Sequence, residues 1–125
     1  MADDLHKKGM ELRTKLFGEK AARAGDEYLK GFDEEFARFL NEQVFGAIWT
    51  RPGLETKTRS FITMAALMAL GRAPELKIHM RGALNLGITK DEIKELIIHL
   101  SQYSGVPTAV EAIRSLREVT EPKAK

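Results

Sequence analysis

The chain has 125 residues, 43% of them hydrophobic and 30% charged, with a net charge of +2. That length holds one domain with a real core rather than two, and the balance is that of a globular protein, neither disordered nor fibrous. Lys and Arg are scattered among Asp and Glu in every segment, which excludes the clustered basic face of a nucleic-acid binder, and the absence of cysteine removes disulfides, thiolate nucleophiles and thiol redox chemistry together.

The start, Met1-Ala-Asp-Asp-Leu-His-Lys-Lys, is charged and lacks the apolar segment of a signal peptide. It reads as a frayed end, which sets His6 aside. Over residues 3–17, Leu5, Gly9, Leu12 and Leu16 share one helical face and Gly18 is the stop. This amphipathic helix is expected to pack on the main body or on a neighbouring subunit. Asp26 is expected to cap the next helix. There Phe32, Phe36, Phe39, Leu40, Val44 and Ile48 form an aromatic-rich stripe, read as core.

Trp49-Thr-Arg51-Pro-Gly53 breaks the pattern, since Pro-Gly is a strong turn signal. A third helix follows from about Leu54, with a polar first turn and then an apolar run from Phe61 to Leu70 that only Thr63 interrupts. The run is far short of the roughly 20 residues that span a bilayer. Being apolar nearly all round, it is expected to be the surrounded, central helix, with Arg59 where its polar turn enters the interior.

Gly71 ends that helix, and Arg72 to Gly87 reads as a short one. Pro74 suits its first turn, where a missing N–H costs nothing, and Gly87 suits the left-handed residue just past its end. Leu76, Met80, Ala83 and Leu84 recur at core spacing, while Gly82 in mid-helix suggests a close approach. Glu75 and His79 lie four apart beside that stripe, a carboxylate next to an imidazole. After Gly87, Thr89 and Glu92 form a capping box ahead of Ile93, Leu96, Ile97 and Leu100. Glu95 and His99 repeat the Glu–His spacing, so spacing alone is not special. Tyr103-Ser-Gly105-Val-Pro107 is a break, and a last helix carries Val110, Ile113 and Leu116 into a frayed tail over 119–125. No stretch alternates with period two. The expectation is therefore an all-α, single-domain bundle of about six helices, soluble and cytoplasmic, with no membrane segment.

Several strings, taken in order, resemble the carboxymuconolactone decarboxylases. They are Phe45-Gly-Ala-Ile-Trp-Thr-Arg-Pro-Gly-Leu54, Lys57-Thr-Arg-Ser60, Glu75-Leu-Lys-Ile-His-Met-Arg-Gly-Ala-Leu84, Gly87-Ile-Thr-Lys-Asp-Glu-Ile-Lys-Glu95 and Tyr103-Ser-Gly-Val-Pro107. The resemblance runs from roughly residue 10 to 118. It implies an alkyl-hydroperoxidase-like helical fold, assembly as homo-oligomers (trimers or hexamers), and conversion of 4-carboxymuconolactone to 3-oxoadipate enol-lactone in aromatic catabolism without cofactor or metal. The peroxidase branch of that fold carries Cys-x-x-Cys with a histidine after three further residues. Here His79 stands at the histidine place, and Arg72 and Glu75 stand at the cysteine places. Thiol-based peroxidase chemistry is thereby excluded.

The implied reaction also says what its residues must do. Decarboxylation leaves an electron pair on carbon, and a carboxymuconolactone supplies the sink itself, because the lost carboxylate neighbours a double bond conjugated with the lactone carbonyl. The protein has to bind two carboxylates, stabilise the oxyanion and supply one proton. Arg51 and Arg59 suit carboxylates because the guanidinium fork makes paired, charge-assisted hydrogen bonds. His79 suits the proton, its pKa lying near working pH, with Glu75 expected to orient it and favour the imidazolium. Trp49 is either a pocket wall or core. Arg81 is assigned to an interface and His99 to a surface pair. A different enzyme on the same scaffold, an isomerase or hydrolase, and a non-enzymatic helical oligomer are the competing expectations.

Overall fold

In the computed structural model, which describes residues 2–121, the charged start is already helical. Helix α1 is Ala2–Phe17, α2 is Glu19–Phe32 and α3 is Glu34–Phe39, which passes without a break into a π-helical segment, Leu40–Ile48. Then come α4 (Thr56–Ala69), α5 (Ala73–Asn85), α6 (Lys90–Ser104) and α7 (Val106–Thr120). The described residues contain no strand, so the all-α expectation holds, with seven α-helices in place of about six. The extra helix arises at Asp33, not Asp26. Asp33 leaves α2 with extended backbone, and its carboxylate accepts the Phe36 N–H at 2.8 Å to cap α3.

The chain divides into two compact units, one up to Thr56 and one from Lys57 onward. In the first, α1 lies directly on the π segment. A Cβ on Gly9 would overlap the Asn41 carbonyl, and one on Gly46 would overlap the Leu5 carbonyl, so two backbones meet there with no side chain between them. Beside this crossing, Arg13 Nη1 donates to Asn41 Oδ1 at 2.7 Å and Asn41 Nδ2 donates to Asp26 Oδ1 at 2.8 Å. Asp26 also pairs with Arg13 at 3.7 Å and with Lys30 at 3.3 Å. Arg13, Asp26 and Asn41 are all buried, and mutual pairing is what makes burial of such charges tolerable. Asp26 is thus an interior anchor of α2 rather than a cap.

The aromatic stripe expected as core is turned outward: Phe32 is 79% exposed and Phe39 is 50% exposed, with the Phe36 ring between them. The break at Asp33 and the wider π turns shift the register of a continuous 3.6-residue stripe, so Ala37, Asn41 and Phe45 face inward instead. His6, expected in a frayed end, is half-buried inside α1.

The second unit packs α4 to α7 around Met64 and Met68, Leu76 and Met80, Ile93 and Ile97, with Ala109, Ala112 and Leu116 from α7. The expected surrounded position of α4 is corrected here. Only Ser60, Met64 and Met68 are buried on it, while Ile62 is 53% and Leu70 73% exposed. A unit of four helices offers each helix one inward face, so an all-round apolar helix keeps an uncovered side. The capping box forms as expected, Thr89 Oγ1 accepting the Glu92 N–H at 3.0 Å and Glu92 Oε1 accepting the Thr89 N–H at 2.9 Å. Lys77 joins α5 to α7 through Glu118 at 2.8 Å. Helix α7 continues to Thr120 with Val119 packed against the core; the expected tail residues 122–125 lie outside the described residues. Among the described residues no helix is long and apolar enough to cross a membrane.

Candidate active site

Helix α5 begins after Arg72, has Pro74 in its first turn, and buries Leu76, Met80, Gly82 and Ala83. Past its end Gly87 takes φ of +91°, the left-handed conformation the sequence pattern requires. With its buried face fixed by Leu76 and Met80, helical geometry sets Arg72, Glu75 and His79 at i, i+3 and i+7 along one flank.

His79 is half-buried, and that burial pushes its imidazole below the ordinary histidine pKa of 6.5. The expected gain from Glu75 is therefore corrected for the ligand-free protein: desolvation prevails and the neutral ring is favoured. The Glu75 carboxylate is also engaged elsewhere, since Glu75 Oε1 accepts from Arg72 Nε at 3.2 Å. The sequence reading passed over this pair, although a cation three residues ahead of a carboxylate at a helix start is a legible signal.

Arg59 is half-buried in the first turn of α4, directly before the buried Ser60, and its backbone carbonyl accepts from Thr63 Oγ1 at 2.8 Å. Arg59, Glu75 and His79 thus all belong to the second unit, on consecutive helices. Trp49 and Arg51 belong to the first. Trp49 is buried at the end of the π segment, its ring stacked on Phe45 with centroids 5.9 Å apart, whereas Arg51 is exposed in the turn that follows. His99 is exposed on α6 with its ring 5.6 Å from that of Tyr103. Among the described residues, no three His, Asp or Glu side chains come together as a metal-binding group. The chemistry on offer is a half-buried imidazole and a carboxylate on α5, an arginine at the cap of that helix and another on the preceding helix.

Comparison with known proteins gives consistent results. Residues 34–118 match the model of the carboxymuconolactone decarboxylase family. The chain is 45% identical over 114 residues to a 4-carboxymuconolactone decarboxylase of Acinetobacter baylyi, covering 91% of this chain and 85% of the relative. It is 31% identical over 115 residues to a nitrosuccinic acid decarboxylase of Metarhizium robertsii, covering 89% of this chain and 80% of the relative. An uncharacterized 15.0 kDa protein of Paracoccus denitrificans is 33% identical over 112 residues, 82% of this chain and 84% of its own. With its helical architecture, the ordered strings and matches that span most of its length, the chain belongs to the carboxymuconolactone decarboxylase family.

Proposed function

We propose that this chain is a cofactor-independent decarboxylase that converts 4-carboxymuconolactone, or a related small lactone or keto acid, with His79 as the proton donor. The similarity to a 4-carboxymuconolactone decarboxylase over 91% of the chain supports the reaction. The observation that carries the assignment of the donor is the half-buried imidazole on α5, one turn from a carboxylate. Departure of CO2 sends the bonding pair through the ring double bond to the lactone carbonyl oxygen as a dienolate. A proton from the His79 imidazolium then adds to a ring carbon, and the neutral imidazole regains one from solvent. Arg59 serves to hold a substrate carboxylate. Arg51, with Trp49 beside it in sequence as a wall, takes the same kind of role through the resemblance of their string. The protein works as a cytoplasmic homo-oligomer, a trimer or hexamer.

The test of the reaction is direct. Purified protein mixed with 4-carboxymuconolactone should remove the conjugated lactone's ultraviolet absorbance and release one CO2 per molecule consumed. Absorbance loss without CO2 would replace the decarboxylase by a hydrolase or isomerase.

The lowered His79 pKa sets a pH dependence. The donor is the imidazolium, and kcat/KM reports the free enzyme. Because burial holds the free-enzyme pKa below 6.5, kcat/KM should fall as pH rises, through a midpoint below that value. The midpoint for kcat should lie higher, since bound carboxylates favour the charged ring. A kcat/KM that climbs with pH across the same range contradicts imidazolium as the donor.

The uncovered apolar faces motivate the oligomer. Phe32 and Phe39 in the first unit, and Ile62 and Leu70 in the second, are at least half exposed, large apolar side chains that a partner subunit would bury. Light scattering at micromolar concentration should give a mass at least three times that of the 14.0 kDa chain. A stable monomer contradicts it.

A further inference from the structure

We propose that Arg72 is a further substrate-binding residue, which takes a carboxylate of the incoming substrate and so hands Glu75 over to His79. The inference rests on the reading of His79 as donor. In the free protein the guanidinium holds Glu75 through one hydrogen bond from Nε, at 3.2 Å, and its Nη groups make no bond among the described residues. The pair is open to solvent, the side chains being 64% and 43% exposed, so it is weak and readily exchanged for a ligand that engages the whole guanidinium fork. Glu75 is one turn from Arg72 on one side and one turn from His79 on the other, so a rotamer change suffices to move its carboxylate between them.

The other charges around α5 do not compete for this role. Lys77 is committed to Glu118 on α7, and Arg81 and Arg114 stabilise the same carboxylate, so the acid nearest α5 from that side is already neutralised. Helix α4 carries two cations, Lys57 and Arg59, and no acid.

The exchange answers a chemical need. Burial disfavours the charged imidazole in the free protein, yet the donor has to be charged when substrate is bound, and a carboxylate released toward it at that moment draws a proton from solvent onto the ring. Arg72 cannot grip the carboxylate that leaves, because stabilising that charge would oppose its departure as neutral CO2. It therefore takes the carboxylate the product retains.

Steady-state kinetics of Arg72→Ala and Arg72→Lys on 4-carboxymuconolactone, beside His79→Ala, separate the possibilities. Arg72→Ala should raise KM by about ten- to a hundredfold, the loss of a charge-assisted contact, and Arg72→Lys should recover part of it. The second readout is the NMR signal of the His79 ring, assigned by its absence in His79→Ala, with glutarate as an unreactive dicarboxylate and butyrate as a monocarboxylate control. Glutarate should move the wild-type ring toward imidazolium more than butyrate does. In Arg72→Ala the ring should already be shifted before any ligand is added, and in Glu75→Gln it should not respond. An unchanged KM in Arg72→Ala, or a His79 signal indifferent to both Arg72→Ala and glutarate, overturns the exchange while the donor assignment stands. Near-wild-type CO2 release by His79→Ala overturns the donor assignment itself.

Discussion

Replacing His79 by alanine should lower kcat for CO2 release by about 10²–10⁴-fold, the usual size of a general-acid contribution. The fold should survive. The core contribution of α5 is made by Leu76, Met80 and Ala83, which are buried, whereas His79 is only half-buried beside them. Glu75→Gln should have a smaller effect on kcat and should move the pH limb, because it changes the imidazole's surroundings without removing the proton carrier. Arg59→Ala and Arg51→Ala should raise KM more than His79→Ala does, as expected of groups that hold a carboxylate in both the ground and the transition state. Comparison at equal folded fraction, checked by circular dichroism, decides the matter. Near-wild-type turnover by His79→Ala would make the imidazole structural, with His99 or a bound water the next source of the proton.

The second large effect concerns stability. Gly9→Ala and Gly46→Ala should each destabilise the protein by about 3 kcal/mol or more, at or beyond the upper end of ordinary overpacking. A new Cβ usually meets a side chain that can swing away. Here it meets the backbone carbonyl of Asn41 or Leu5, so α1 and the π segment must separate to admit it. Separation also pulls Arg13 from Asn41 and leaves buried polar groups without partners, which adds a desolvation penalty. Gly31→Ala is the control, because nothing lies within 4 Å of a Cβ there and the change favours helix α2. Urea unfolding followed by circular dichroism measures all three. A midpoint for Gly46→Ala equal to that of wild type would mean the two backbones are not in contact.

The local grammar of the helices was largely legible. Pro74, Gly87 and the Thr89–Glu92 box mark helix ends through backbone chemistry that acts within a few residues, so the sequence displays them directly. The face assignments were less so. The Phe32 to Ile48 stripe has helical spacing, but the inward face was decided by the break at Asp33 and the π turns, which no local periodicity encodes. Asp26 looked like a cap because caps are the common role of an aspartate near a helix start; its pairing with Arg13 depends on residues distant in sequence. Reading α4 as surrounded took an apolar run for burial on every side, whereas only the Ser60, Met64 and Met68 face of the helix is buried.

At the candidate site the same division holds. The Glu75–His79 spacing was visible, as was the arginine on the polar turn of α4. The direction of the His79 pKa was not, because it depends on how much water the neighbouring helices exclude. The engagement of Glu75 by Arg72 follows from a charge spacing that attention to the imidazole alone overlooks.

The central claim, a decarboxylation completed by protonation at a ring carbon, is tested most directly by running the reaction in deuterium oxide and examining the product by NMR while CO2 is counted. The account predicts one CO2 per lactone consumed and an enol-lactone carrying a single deuterium on the newly saturated ring carbon. An opened ring with no CO2, or an isomerised lactone that keeps both carboxylates, would contradict it.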